Sequence, residues 1–266
     1  MKNKKIIGLM LLSAFLISGC TNANDETTPI KDSINTTIST ESVESESYQY
    51  YPLPDGTLSI AVGTNKFLES LTIPKMHHGK MVTQIADNGF ANCTALKQVN
   101  LPDNINVIGE QAFSGCLSLN SIKIPDGTSV IGNYAFEGCE SLTSVVIPKG
   151  VTSISSSAFR GCSSLTSVVI PDSVTSIGGD AFFCCKSLTS IVIPDSVTSI
   201  GRNAFSGCSS LTSVVIPEGV KYIGYRAFHG CSSLTIYCAA ETEPEGWNYY
   251  WNSSDCPVVW GYKSKP

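Results

Sequence analysis

The chain has 266 residues, of which 42% are hydrophobic and 15% are charged, and it contains 11 cysteines. A wholly disordered chain combines low hydrophobicity with high net charge, so this composition excludes a wholly disordered protein. It favours a packed core, in one large domain or two ordinary domains. The formal net charge is −5, with 17 Lys and Arg in total. Since phosphate neutralisation requires clustered cations, this balance excludes a basic surface for nucleic acid.

Residues 1–19 have the pattern of a secretory signal peptide. Three lysines precede an apolar run, residues 6–18, that is shorter than the roughly 20 residues of a membrane-spanning helix. The sequence ISGC ending at Cys20 resembles the lipobox of bacterial lipoproteins, in which the cysteine is acylated and becomes the mature N-terminus. We predict a lipoprotein signal peptide and lipid attachment at Cys20, which would hold the protein at the cell membrane or outer-membrane surface. An ordinary secretory signal is the alternative.

Residues 20–47 have the composition of a disordered tether rich in Ser, Thr and acidic residues. The segment has no aromatic residue and no apolar periodicity, and it has six carboxylates against the single Lys31. Such a segment cannot bury enough apolar surface to offset the entropy of ordering. A partner-binding acidic tail is the alternative, although the charges are scattered along the segment and do not form a block.

The body of the chain repeats with a period of 23 residues. One phenylalanine keeps this step at Phe90, Phe113, Phe136, Phe159, Phe182, Phe205 and Phe228. A cysteine keeps it at Cys93, Cys116, Cys139, Cys162, Cys185, Cys208 and Cys231, and a leucine keeps it three residues after each cysteine. A period of this length predicts a solenoid, in which one unit buries its apolar face only when its neighbours stack on it.

Each unit divides into a strand, a second extended segment and a turn. The segment LTSVVIP alternates apolar and polar residues, which predicts a strand of a parallel sheet with Val145 and Ile147 pointing inward. The proline that follows cannot donate to a ladder and ends the strand. The segment VTSIG predicts a second extended piece. The segment xxAFxGC predicts a short helical turn with a left-handed Gly, whose place is taken by Asn92 and Cys184 in two units.

The consensus IPxxVTxIGxxAFxxCxxL resembles the BspA-like leucine-rich repeats of bacterial cell-surface proteins over residues 71–236. The resemblance implies a leucine-rich-repeat solenoid, β-rich with short helical turns, whose parallel β-sheet lies on the concave face. Residues 48–70, with a tight-turn signal at Asp55-Gly56, resemble the N-terminal cap hairpin of this family, and residues 237–266 resemble its C-terminal cap. The family implies adhesion or binding at the cell surface. A structural envelope protein without a specific ligand is the alternative.

The cysteines of the repeat raise the question of a metal site. Zinc ligands converge on one point, whereas cysteines at the same place in successive coils form a line, and no CxxC pair accompanies the periodic cysteines. We therefore predict no metal and no cofactor, and a core of small buried thiols packed against phenylalanines. The predicted structural core comprises Phe113, Phe136, Phe159, Phe182, Phe205, Phe228, Cys116, Cys139, Cys162, Cys185 and Cys208.

The oxidation state of the cysteines is a separate question. Stacked positions about 5 Å apart lie within disulfide range, but seven cysteines in one column cannot all pair, and we expect them to be mostly reduced. Cys238 and Cys256 lie outside the column, in the C-terminal cap, and are candidates for a disulfide that closes the loop between them. Cys184, beside Cys185, is either a replacement of the turn glycine or part of a vicinal redox pair.

No catalytic motif is present, and we predict that the protein is not an enzyme. His77 and His78 have no third ligand or carboxylate at ligand spacing, which favours a solvated loop, and His229 occupies a variable position of a turn. The serines form no GxSxG elbow and no recognisable Ser, His and acid trio. The glycines lie in turns and form no phosphate-binding loop after a strand.

The outward positions of the strands are the predicted binding face. They are Val146, Val169, Val192 and Val215, flanked by Ser144, Ser167, Ser190 and Ser213. Stacked about 5 Å apart, these side chains predict a flat stripe of methyl groups edged by hydroxyls. Because every coil presents nearly the same surface, an extended protein or a repetitive glycan suits it better than a small ligand. The alternative is that the valines reflect β-propensity and the serines solubility alone.

Overall fold

The computed structural model describes residues 48–63 and 66–263. The described residues fall within the unit Ser39–Pro266. The predicted signal peptide, the lipid-attachment residue Cys20 and the tether lie outside the described residues. Within the described ranges, no helix is long and apolar enough to cross a membrane.

The described chain winds into a parallel β-solenoid in which successive coils contribute short strands to two rows. The first row, called the sheet face below, contains β3 (Ser70–Thr72), β6 (Gln98–Asn100), β8 (Ser121–Ile122), β10 (Ser144–Val146), β12 (Ser167–Val169), β14 (Ser190–Val192), β16 (Ser213–Ile216), β18 (Thr235–Cys238) and β19 (Val258–Val259). The second row contains β2 (Leu58–Val62), β5 (Lys80–Ile85), β7 (Val107–Ile108), β9 (Val130–Ile131), β11 (Ser153–Ile154), β13 (Ser176–Ile177), β15 (Ser199–Ile200) and β17 (Tyr222–Ile223). Equivalent residues pair, as Val145 of β10 does with Val168 of β12.

The alternation along each strand decides which side chains enter the core. In β10 the central Val145 is buried, whereas Ser144 and Val146 on either side of it are exposed. Ile147 is buried in turn, and the strand ends before Pro148 because proline has no N–H to donate. In the second row, Ile154 of β11 is buried behind an exposed Ser153. Each coil therefore buries β-branched side chains from both rows.

A continuous stack of phenylalanine rings fills the centre of the solenoid. The seven rings of the 23-residue period are fully buried, and neighbouring centroids lie 5.4–5.6 Å apart with interplanar angles of 5–13°. The cysteine and leucine of each unit are also buried, Leu234 retaining 2% exposure. The structure thus places every residue of the predicted structural core in the interior.

The segment xxAFxGC forms turns and no helix, so the predicted short helical turn is wrong. Ala112 N donates to Gly109 O, three residues earlier, but the next amide, Phe113 N, donates to Ala135 O of the following coil. An α-helix requires consecutive bonds to the fourth preceding carbonyl. Successive amides thus bond alternately within the turn and to the next coil. The residue before each Ala has a left-handed backbone, as at Gln111 with φ 54°, which interrupts a helix. The predicted left-handed Gly position is confirmed, including its occupation by Asn92 and by Cys184, at φ 59° and 58°.

Both ends of the phenylalanine stack are closed by other aromatic rings. At the N-terminal end, β1 (Tyr48–Pro52) pairs antiparallel with β2, and the Tyr48 ring lies edge-on to Phe90 with centroids 6.4 Å apart. At the other end Trp251 lies edge-on to Phe228, with centroids 6.1 Å apart and an interplanar angle of 85°. Trp247 is buried beside Trp251, and its Nε1 donates to Val220 O. These contacts shield the apolar ends of the stack from water.

Candidate binding face

The outward valines form the most extended apolar feature of the sheet face. The exposed fractions of Val146, Val169, Val192 and Val215 are 63, 56, 77 and 37%. Strand pairing puts Val146 opposite Val169 and Val192 opposite Val215, and the column continues through Tyr237 to Val259. We call the four valines with Ser144, Ser167, Ser190 and Ser213 the valine face.

The serines of the valine face differ from the threonines that precede them. Thr166 Oγ1 donates to Thr143 O of the preceding coil, and Thr143 and Thr212 bond backward in the same way, so these hydroxyls belong to the solenoid itself. Within residues 48–63 and 66–263, no side-chain hydrogen bond involves the four exposed serines. Their hydroxyls therefore face solvent, beside a stripe of exposed methyl groups.

A row of charged residues follows the strands of the sheet face, and it was not among the sequence predictions. The residue after each strand-ending proline is exposed, and this position holds Asp103, Asp126, Lys149, Asp172, Asp195 and Glu218. We call the five carboxylates among them, all except Lys149, the acidic row. In the described part of the chain, the two ion pairs are Lys97 with Glu69 and Arg160 with Glu137, so neither involves the acidic row. The recurring Pro-acid dipeptide was the sequence signal that could have revealed it.

An open depression brings the valines and the acidic row together. Its volume is about 980 Å³, and its lining includes Val146, Val169, Asp126, Lys149 and Asp172. Toward the N-terminus the corresponding surface is polar, since Asn100 and Lys123 occupy the positions equivalent to the outward valines. The face thus changes along the solenoid from a polar N-terminal part to an apolar C-terminal part with an acidic edge.

The cysteine column is chemically protected. Each thiol from Cys116 to Cys231 donates to the phenylalanine carbonyl 26 residues earlier, with Sγ···O distances of 3.1–3.2 Å. Burial raises the pKa of Cys116 and of Cys231 to about 12, and it raises the pKa of Cys162 well above its ordinary value. Because the thiolate is the nucleophile and the metal ligand, burial disfavours the reactive form of these thiols. Among the described residues no group of three potential metal ligands occurs.

The candidate disulfide between Cys238 and Cys256 is not formed in this structure, where both are buried free thiols. Cys238 lies in β18, on the sheet face, and pairs with Ile216. The Cys256 thiol instead donates to Cys231 O at 3.4 Å, which places it next to the cysteine column. Cys238 thus belongs to a strand of the sheet face, whereas Cys256 lies beside the cysteine column.

His78 and His229 are exposed, as the sequence predicts, whereas His77 lies in a strand and is half-buried. His77 lies in β4 (Met76–His77), which pairs antiparallel with β5 through a turn at His78 and Gly79. The Tyr50 ring stacks on His77 with centroids 3.7 Å apart, and burial lowers the pKa of His77. His229 is exposed, and its Nδ1 lies 3.1 and 3.2 Å from the hydroxyls of Ser253 and Ser254. Among the described residues, no hydrogen bond or ion pair joins His229 to a carboxylate.

Comparisons with known proteins agree with the coil architecture. The chain matches the family described as BspA type Leucine rich repeat region (6 copies) over residues 60–183 and 129–254. It is similar to the crystal structure of a leucine rich cell surface protein from Faecalibacterium prausnitzii, with 32% identity and a TM-score of 0.55, covering 72% of this chain and 69% of that one. A leucine-rich repeat protein from Bacteroides ovatus is similar at 25% identity and a TM-score of 0.56, covering 81% and 70%. No curated protein shows a significant match.

Proposed function

The chain belongs to the BspA-type leucine-rich-repeat family, and we propose that it is a binding protein of the bacterial cell surface. In this proposal, acylation of Cys20 anchors the protein outside the cytoplasm, and residues 21–47 hold the solenoid away from the membrane. The valine face binds a macromolecular partner, a protein or a repetitive glycan, and so mediates adhesion or recognition. The description of the F. prausnitzii protein as a cell surface protein supports the location.

The observation that carries the proposal is the exposure of the valine face. Val146, Val169 and Val192 are each more than half exposed. The equivalent positions in earlier coils hold Asn100 and Lys123, so the fold itself does not require an apolar residue there. Contiguous apolar surface that a folded chain leaves in water is typical of an interaction site. The free serine hydroxyls beside it provide the polar rim that such sites have.

The shape of the face favours a large partner. The depression over Val146 and Val169 is open, and the same valine and serine recur in the next two coils. A small molecule would find several equivalent and shallow positions. An extended chain that crosses several coils would instead bury many methyl groups at once, and the apolar area removed from water would increase with each coil.

The experiment replaces Val146, Val169 and Val192 together by Asp, and in a second variant by Lys. Cells that display the full chain are compared with both variants for binding to immobilised matrix proteins and cell-wall glycans. Since either charge removes the apolar contact, both variants are expected to lose binding while the thermal midpoint stays within a few degrees. The matched control carries Asp at Val130, Tyr134 and Tyr222, which are exposed outside the sheet face. Unchanged binding by both triple variants would refute the proposal and favour a structural envelope role.

A further inference from the structure

We propose, building on the function above, that the partner is an extended polypeptide with a Lys or Arg at every third residue. Its apolar side chains would lie on the valine face, and its cations would lie against the acidic row. Asp172, Asp195 and Glu218 are three consecutive carboxylates of that row, and Glu241 in the cap is also exposed and acidic. The described residues form no ion pair with the acidic row, and although Lys123 and Lys149 line the same depressions as Asp126, the carboxylates of Asp172, Asp195 and Glu218 are open to a cationic partner.

The negative charge of the acidic row disfavours two other occupants, the acidic segment 21–47 of this chain and an acidic glycan. Residues 21–47 have six carboxylates and one lysine, so the acidic row would repel them. An acidic glycan would meet the same repulsion. A cationic segment, in contrast, gains from the row and from the valines together, since long Lys and Arg side chains also pack their methylene groups on apolar surface.

The spacing of the coils limits the period of an extended partner that can follow the row. Asp126, Asp172 and Glu218 occupy alternate coils, with Lys149 and Asp195 in the coils between them. Neighbouring strands lie about 4.8 Å apart, so alternate coils are separated by about 9.6 Å. A polyproline II segment rises about 3.1 Å per residue with three residues per turn, which returns a side chain to the same side every 9.3 Å. A cation at every third residue would therefore meet a carboxylate in every second coil.

The position of Lys149 allows substitutions that are expected to strengthen peptide binding as well as substitutions that are expected to weaken it. Lys149 lies between Asp126 and Asp172 at the rim of the depression, where it would repel a cationic segment. Its removal is expected to strengthen binding, whereas removal of Asp172 and Glu218 is expected to weaken it. A purely apolar contact would respond to neither change.

The experiment measures fluorescence anisotropy of a labelled peptide of four Arg-Pro-Val triplets with the purified full chain in detergent. Proline restricts the residue before it to extended conformations, which favours polyproline II. Binding is expected to weaken as salt rises from about 0.05 to about 0.5 M, because the screening length falls. Two control peptides, one with Gln for Arg and one with the four Arg consecutive, are expected to bind about tenfold more weakly or not at all.

Variants of the acidic row and of Lys149 complete the test. Asp172→Asn with Glu218→Gln is expected to raise the Kd about three- to tenfold, and Lys149→Gln to lower it about twofold, as exposed ion pairs allow. The matched control, Glu110→Gln with Asp180→Asn, removes two carboxylates outside the row and should leave the Kd unchanged. Equal binding of the Arg and Gln peptides, or no response to the row variants, would overturn the inference.

The remaining outcomes separate this inference from the proposed function. If the Arg peptide does not bind but the triple valine variants lose their surface partner, only the cationic partner is refuted. If a glycan binds and Asp172→Asn with Glu218→Gln has no effect, the occupant is the glycan and the inference fails. Concentration-dependent dimerisation that the triple valine variants abolish would identify a second copy of the chain as the occupant, which also overturns it.

Discussion

Phe159→Ala tests whether the phenylalanine stack is the main source of stability. Phe159 is fully buried, and its ring lies 5.5 Å from that of Phe136 and 5.6 Å from that of Phe182. The substitution removes the ring and both stacking contacts. Truncation of a buried Phe to Ala costs about 3–5 kcal/mol, the larger values applying where the surroundings cannot collapse into the cavity.

Collapse into this cavity is opposed by the bonds between coils. Phe159 N donates to Ala181 O at 2.9 Å, and the Cys185 thiol donates to Phe159 O at 3.2 Å. On the other side Phe136 N donates to Ala158 O, and together these bonds fix the spacing of the three coils around the cavity. Since each ring pair adds about 0.5–1.5 kcal/mol beyond its area burial, we expect a loss near the upper end of the range, about 4–5 kcal/mol.

Urea unfolding of the full chain, followed by far-UV circular dichroism, measures this loss. Leu117→Ala is the control, because Leu117 is 43% exposed and its truncation should change the free energy of unfolding by less than about 0.5 kcal/mol. Repeat arrays lose two-state behaviour when one coil is weakened, so a second transition in Phe159→Ala is also consistent with the stack. A single transition with a loss below about 1 kcal/mol would show that the ring does not support its neighbours, and would refute the reasoning.

Three further predictions concern single residues. Gly161→Ala should lower the free energy of unfolding in urea by about 1–2 kcal/mol, because its φ is +72° while an added Cβ would meet only Gly138 at 3.7 Å. Gly179→Ala, whose Cβ would make an ordinary contact at 3.5 Å, should be nearly neutral. Equal losses of stability in the two variants would exclude backbone strain as the cause. Burial raises the pKa of Cys116 and of Cys231 from the ordinary value of 9.0 to about 12, so the folded state favours the protonated thiols. Stability should therefore be unaffected below about pH 9 and decline above it, and a urea midpoint that stays constant from pH 8 to pH 11 would contradict this burial. Cys20→Ala should release the protein from membranes or leave the precursor uncleaved, as fractionation would show, and normal membrane retention would contradict acylation.

Most of the coil could be predicted from the period alone. Because Phe159 recurs at the same place as Phe136 and Phe182, a solenoid that buries one of them buries all of them. The same reasoning places Val146 outward once Val145 is inward, since side chains alternate along a strand. The turns were predicted less well, because AFxGC has helical propensity and its chain neighbours do not show that Phe113 N bonds to the next coil.

The cap illustrates where the period stops being informative. Cys256 follows Cys231 by 25 residues and lies outside the 23-residue step, which led to its expected pairing with Cys238. In the structure the cap path is two residues longer than a repeat, yet it returns Cys256 to the end of the cysteine column. Spacing alone could not indicate this, because the cap has no further copy against which its register is defined.

The sequence by itself determined the architecture of this protein, because a strict period forces each residue type into one environment in every coil. It determined the buried phenylalanines and thiols and the exposed valines and serines. Only the tertiary structure decided what borders the valines, since Asp172 follows Val169 by three residues and its side of the sheet depends on how the chain turns after Pro171. That turn places Asp126 and Asp172 beside Val146 and Val169, and the proposed cationic partner rests on this combination of charged and apolar surface.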